Sequence, residues 1–260
     1  MYYYRVTIAY KGTRYYGWQA QSVDTLYEKN KTIEGTIKNA LKKITNYQHC
    51  TVSGASRTDG GVHAQGQRAK LTIADDISAE HLLLGLNSLL PFDIRILTCE
   101  TSTKEYQPSK ASITKEYHCY FVASPVDNAA MTDIAVYFRT QKLEPKDLEL
   151  LEAGCQLFMG KHDFRNFSSR DRTAVTSIRE ITYCAIHQSD FSLSESLYYL
   201  KVIGEGFLKY MIRYLMGTLF DLVRGRITLD DIALYLREAQ EEKLSPKVKA
   251  KGLHLIRIEE

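Results

Sequence analysis

The order in which two hydrophobic periodicities alternate along the chain limits its fold more than any other feature. Residues 2 to 10, YYYRVTIAY, are aromatic and β-branched and predict a strand. Thr32 stands as an N-cap before Ile33, Ile37, Ala40, Leu41 and Ile44, whose spacing puts them on one side of a helix. A strand is expected around Thr51 and Val52, and another over VHAQGQRAKLTI, residues 62 to 73. Ser78 caps a second helix through Leu89, with Leu82, Leu83, Leu86 and Leu89 as its apolar stripe. Pro91 stops that helix, and LPFDIRILTCE resumes as a strand. The order is β-α-β-β-α-β.

The remainder of the chain repeats that order more loosely. TKEYHCYFVA reads as a strand, and residues 146 to 159 as a helix with Leu148, Leu151, Cys155 and Phe158 or Met159 on one side. IREITYCAIHQ and SLYYLKVIGEG form a strand pair. Residues 207 to 224 predict a long helix facing Phe207, Met211, Tyr214, Leu215, Thr218 and Leu222 inward. A short helix from Leu229 to Arg237 precedes the closing strand GLHLIRIEE. No sequence identity links the halves, so the repeat rests on element order alone. The fold expected is α+β, built of two tandem ferredoxin-like (RRM-like) units. The polar stretch TSTKEYQPSKAS, containing Pro108, sets the expected divide, with one half over 1–105 and the other over 106–260. Ser124 to Asp133 reads as a turn-rich insertion. Residues 164 to 175, FRNFSSRDRTAV, read as a basic surface loop, either solvated or facing an anionic partner.

Composition narrows the class. A chain of 260 residues, 44% hydrophobic and 25% charged, has ample core for a soluble globular protein. No apolar run approaches the ~20 residues of a membrane span, and the N-terminus lacks a signal-peptide layout. The five cysteines, Cys50, Cys99, Cys119, Cys155 and Cys184, form no C-x-x-C pair and lie mostly in apolar segments. Reduced core thiols in a cytoplasmic protein, without structural zinc, are the expectation. A net charge of +3 says little about partners, because local distribution matters more.

The chemistry-bearing stretch is ASRTDGGVHAQGQRAKL, residues 55 to 71. Asp-Gly is a common hairpin turn pair, so Asp59 is either a turn residue or a reacting carboxylate. Arg57, two residues away, favours the second reading, since a guanidinium beside a carboxylate keeps it ionised and oriented. Gly60 and Gly61 let a bulky ligand approach the main chain. His63 fits a base, a ligand or a structural hydrogen-bonder, but no second His stands at metal-ligand spacing, and metal catalysis is not expected. The loop YKGTRYYGWQAQ gathers Arg14, Tyr15, Tyr16, Trp18 and Gln19 around two glycines. Stacking rings with a guanidinium suit contact with RNA bases and backbone, whereas Trp18 equally suits sealing a core. Arg213, bordering the apolar face of its helix, needs a carboxylate partner.

Together these residues resemble the TruA family of tRNA pseudouridine synthases. YKGTRYYGWQ is similar to the family's first-strand loop and SRTDGGVHAQGQ to its catalytic segment. GLNSLLPFDI, KEYHCY, GFLKYMIRYLMG and GLHL resemble four further family segments in the right order. Ser56 and Gly60 stand where the family usually has Gly and Ala, and Pro108 and Ser109 where it has Ala-Arg. Cys119 replaces a common Tyr, and Val248 and Lys249 a usual Ala-Pro. The resemblance implies a pseudouridine synthase fold whose two sheets join around a central cleft. It also implies isomerisation of uridine in the tRNA anticodon stem-loop, on its 3′ side, without a cofactor, by a homodimer. By the same resemblance, Asp59 is the catalytic aspartate and Arg57 holds the target nucleotide out of the stack. Tyr117 packs on the uracil and handles the C5 proton, Arg213 pairs with the aspartate, and Leu253 lines the base pocket. Arg14, Tyr16, Trp18 and His63 complete the expected substrate contacts. Asp59 acts either on C1′ directly or on a glycal-forming proton, and both routes stay open. The alternatives are a diverged paralogue that binds RNA with weak activity or on another RNA, and an unrelated enzyme on a ferredoxin-like fold.

Overall fold

The computed structural model describes residues 1–19, 31–139, 142–169, 175–190 and 196–260. The chain divides into two compact units, Met1–Ile113 with Leu255–Glu260, and Thr114–His254.

The first unit runs β1 (Tyr2–Tyr10), α1 (Ile33–Ile44), β2 (Thr51–Gly54), β3 (His63–Ile73), α2 (Ala79–Leu89) and β4 (Ile94–Thr101), then the single turn α3 (Pro108–Ala111). β1 lies antiparallel between β3 and β4, and β2 pairs antiparallel with β3. The order β4-β1-β3-β2 is that of a ferredoxin-like unit. Both expected caps form: the Thr32 hydroxyl accepts from Gly35 N–H, and that of Ser78 from His81 N–H. Alternate residues of β1 (Tyr4, Val6, Ile8, Tyr10) and of β3 (Ala69, Leu71, Ile73) are buried, as are Ile33, Ile37 and Leu41 of α1 and Leu82 and Leu86 of α2. The α2 stripe differs from expectation at its end. Leu89 is exposed and Leu90 is buried in its place, because the chain leaves the helix for extended backbone at Leu90.

The second unit contains β5 (Thr114–Ala123), β6 (Val136–Phe138), α4 (Pro145–Phe158), β7 (Gly160–Asp163), β8 (Ile178–Gln188), β9 (Leu197–Gly204), α5 (Met211–Val223) and α6 (Leu229–Arg237). β10 (Leu253–Glu259) starts in this unit and continues into the first. β9 is antiparallel between β5 and β8, β7 extends the sheet beyond β8, and β6 pairs parallel with β5. β6 and β7 are too short to register as periodicity. Phe220 of α5 stacks on Phe138 at 4.4 Å between centroids and meets Phe121 edge-on at 5.3 Å, which anchors the helix on the sheet.

Two expectations are corrected here. The helix expected from residue 207 begins only at Met211, because Tyr210 takes left-handed backbone, φ 64°, and breaks the ladder. Phe207 therefore sits before the helix, not on it. The stretch from residue 164 is not simply a surface loop, since Phe164, Asn166 and Phe167 are buried in a 3-10 turn. The Asn166 amide donates to the main-chain oxygens of Tyr235 and Glu238, at 2.6 Å each. Residues 170–174 of that stretch lie outside the described residues. All five cysteines are free. Among the described residues no helix is long and apolar enough to cross a membrane.

Candidate active site

In the first unit, the segment Ser56–Gly61 connects β2 to β3 and is held by main-chain bonds to the loop after β1. Trp18 N–H donates to Thr58 O at 3.0 Å, Gly61 N–H to Tyr15 O at 3.2 Å, and Gly17 forms an antiparallel bridge with Asp59. Gly17 has φ 102°, and a Cβ there would stand 2.6 Å from Thr58 O, so only glycine lets the two segments meet. Thr58 points inward, its hydroxyl 2.7 Å from that of Tyr10. Its neighbours Arg57 and Asp59 are left outward, Arg57 exposed and Asp59 half-buried. Asp59 O accepts Val62 N–H at 3.1 Å, closing the turn that leads into β3.

A buried side chain fixes the other end of this segment. Gln67 of β3 is 0% exposed; its Nε2 donates to Ser56 O at 2.7 Å, and its Oε1 accepts Ser56 N–H at 3.1 Å. This amide performs, in a side chain, the pairing that a neighbouring strand would perform. The turn carrying Asp59 is therefore clamped on both flanks. It is not a free hairpin tip.

The loop residues expected to contact substrate divide by burial. Tyr16 is 63% exposed, and Arg14 is exposed with its guanidinium 5.6 Å from the ring of Phe92, itself 72% exposed. Phe92 was hidden in the sequence by the strand that follows it. Trp18, by contrast, is 1% exposed, and its ring lies so close to Gly54 that a Cβ there would be 2.5 Å away. His63 is buried at the start of β3. Trp18, through its N–H on Thr58 O, supports the turn from within. Tyr15 is likewise internal, its hydroxyl donating to Asp93 at 2.6 Å, and burial together with that carboxylate pushes its phenol well above the ordinary range.

In the second unit, Tyr117 of β5 is 7% exposed and meets Phe207 edge-on at 5.4 Å, interplanar angle 85°. Two residues along on the same face, Cys119 is fully enclosed, and burial pushes its thiol up to about 12 although the nearby Arg213 guanidinium opposes the shift. Arg213 is half-buried in the first turn of α5. Its Nε donates to Val248 O at 2.9 Å, and Val248 N–H donates to Arg213 O at 3.1 Å. That reciprocal pair ties the Arg213 side chain to main-chain groups that any residue but proline offers at 248. Leu253 is buried at the start of β10.

Comparison with known proteins assigns the family. A family model described as tRNA pseudouridine synthase matches residues 155–259. Over all 260 residues the chain is 68% identical to tRNA pseudouridine synthase A 2 of Desulfotalea psychrophila, covering 99% of that protein. It is 30% identical over 253 residues to tRNA pseudouridine synthase A of Caldicellulosiruptor bescii, covering 97% of each chain. It is 32% identical over 254 residues to tRNA pseudouridine synthase A 2 of Clostridium perfringens, covering 98% of each. With the segments around Asp59, Tyr117 and Arg213 in place on these elements, the chain belongs to the TruA family of tRNA pseudouridine synthases.

Proposed function

We propose that the chain isomerises uridine to pseudouridine on the 3′ side of the tRNA anticodon stem-loop, with Asp59 as the reacting carboxylate. The clamped turn supports this reading best. A carboxylate that only shaped a hairpin would not need Gly17, the Tyr10–Thr58 contact and the Gln67 amide to hold it. The reaction breaks the N1–C1′ bond, turns the base and joins C5 to C1′. The C5 proton leaves and N1 ends protonated, with no net oxidation. Asp59 supplies negative charge where C1′ becomes electron-poor. Tyr117 accepts or relays the C5 proton, a neutral phenol passing on its own hydroxyl proton as it takes that one, a step worth ~10²–10⁴-fold in general-base catalysis. Arg213, which the family resemblance couples to the aspartate, keeps it ionised.

The target nucleotide must first leave its stack, at roughly a few kcal/mol. The exposed Arg57 offsets that cost by occupying the vacated place. Arg14, Tyr16 and Phe92 offer one cation and two rings for flanking RNA. Trp18 and His63 act indirectly, by holding the loop, and Leu253 gives the base an apolar wall. The family likeness further supports a homodimer, and the five free cysteines suit a reducing cytoplasm.

The test is to incubate the protein and Asp59→Asn with unmodified tRNA transcripts and map pseudouridine by chemical adduct and primer extension. Stops on the 3′ side of the anticodon stem-loop are expected, absent in Asp59→Asn at unchanged melting temperature. Full activity in Asp59→Asn would overturn the assignment. Tight tRNA binding by the wild type without any adduct would make the chain a diverged binding paralogue.

A further inference from the structure

Around the first turn of α5, cations converge on two tyrosine rings. The Tyr210 ring has the Arg213 guanidinium carbon at 4.9 Å, Lys247 Nζ at 4.9 Å and Lys209 Nζ at 5.2 Å from its centroid. Lys247 also lies 5.6 Å from the Tyr214 ring, with Lys243 at 5.8 Å from the same ring. These charges come from separate places, Lys209 from the turn before α5 and Lys243 and Lys247 from the stretch between α6 and β10. Like charges gathered this closely repel, and ring faces compensate only in part. No carboxylate forms an ion pair with Lys209 or Lys247 among the described residues.

Three details show that the arrangement is held. Tyr210 occupies left-handed backbone, φ 64°, costly for a residue with an aromatic side chain and found where surrounding structure imposes it. The Lys247 stretch is tied to the helix by the bonds between Val248 and Arg213. Lys209 O accepts Ser169 N–H at 3.0 Å, which fixes the turn before the helix. The lysines themselves are exposed.

We propose that Lys209 and Lys247, set around Tyr210, form a binding site for the phosphate backbone of the RNA substrate. This rests on the reading of the chain as a tRNA pseudouridine synthase, and it names where that substrate is gripped apart from the base. The occupant is argued from charge: the patch is cationic and exposed, and a polyphosphate backbone supplies anions at regular spacing. Contacts of this kind position the RNA without reading its sequence.

The experiment measures tRNA affinity and pseudouridine formation at salt from about 50 to 200 mM, for wild type, Lys209→Gln/Lys247→Gln and Lys209→Arg/Lys247→Arg. Each lost phosphate contact lowers the slope of log affinity against log salt by about 0.7–0.9. Over that range the glutamine variant should therefore lose roughly tenfold less affinity than wild type. Its defect should appear as a raised KM for tRNA, at the same modified uridines, and the arginine variant should keep the wild-type slope. A glutamine variant with the wild-type slope and KM would overturn the proposal, as would a defect confined to kcat. Those outcomes leave pseudouridine formation by the wild type intact. A wild type that binds tRNA and forms no pseudouridine would instead overturn the function, while the slopes still test the patch.

Discussion

Gln67 offers the sharpest test of whether the turn carrying Asp59 is positioned by design. Its amide makes two bonds to the Ser56 main chain, at 2.7 and 3.1 Å, in a fully buried setting. Gln67→Met keeps the side-chain volume and removes both bonds. A buried hydrogen bond lost on one side costs about 1–3 kcal/mol, so the pair predicts roughly 2–5 kcal/mol. For a chain of this size that lowers the melting temperature by about 5–15 °C. Activity should fall further than stability alone explains, because Ser56 begins the segment that aims Arg57 and Asp59. A shift of about 1 Å in a reacting group costs ~10²-fold. The assay is single-turnover pseudouridine formation at a temperature where the variant is fully folded, beside a thermal melt. Gln67→Glu separates the two effects. Burial beside the Ser56 carbonyl raises that carboxyl's pKa, and its protonated form restores both bonds. Stability and activity of Gln67→Glu are then present at low pH and lost as pH rises through the raised value. If folded Gln67→Met modifies tRNA at the wild-type rate, the amide does not position the site.

Three further outcomes are expected. Gly60→Ala should melt at or slightly above the wild-type temperature with activity kept, since an added Cβ meets its nearest atoms at 3.4 Å; Gly17→Ala should lose about 2 kcal/mol or more and most activity, its Cβ standing 2.6 Å from Thr58 O at φ 102°. The melting temperature should fall as pH drops below about 6.5. Burial holds His118 below the ordinary imidazole range despite the Glu116 carboxylate at 2.8 Å, so the unfolded chain takes up the proton first, and His118→Gln should flatten the drop between pH 7.5 and 5.5. Lys115 of β5 is half-buried, and burial followed by the nearby Arg179 depresses its ammonium. Lys115→Met removes an enclosed cation and should raise the melting temperature, and a lower one would show that the ammonium has a partner worth more than its desolvation.

Legibility in the sequence followed the range of each interaction. Helices α1 and α2 were readable because Thr32 and Ser78 cap them from three residues away and their apolar stripes keep the helical period. The start of α5 was not readable. Phe207 continues the period of Met211, Tyr214 and Leu215, and only the left-handed φ of Tyr210 ends the helix, a conformation that residue type does not announce. The turn at Asp59 was legible because its Asp-Gly-Gly motif is contiguous. The Gln67 amide was not, since it meets Ser56 across the turn and the strand pattern alone makes Gln67 an ordinary inward position. Phe92 read as the approach to a strand, and only the fold leaves its ring exposed beside Arg14. The cations around Tyr210 have no spacing signature, because Lys247 reaches that ring from a stretch after α6.

The departures from the family pattern become intelligible once side-chain and main-chain roles are separated. Ser56 engages Gln67 through its N–H and C=O, so the clamp does not depend on the side chain at that position. Val248 holds Arg213 through its own N–H and C=O, which an alanine offers equally. Gly60 leaves room that an alanine would fill without strain. Pro108 opens α3 at the first helical position, where a missing N–H is harmless. Of the exchanges that alter chemistry at the side chain, Ser109 and Lys249 are exposed, whereas Cys119 is buried on β5 two residues from Tyr117. Ser109 and Lys249 change charge at the surface, and Cys119 places a thiol at an enclosed position. The exchanges at Ser56 and Val248 therefore leave in place the main-chain bonds that hold the Asp59 turn and the Arg213 side chain, because those bonds use groups that the side chain at either position does not supply.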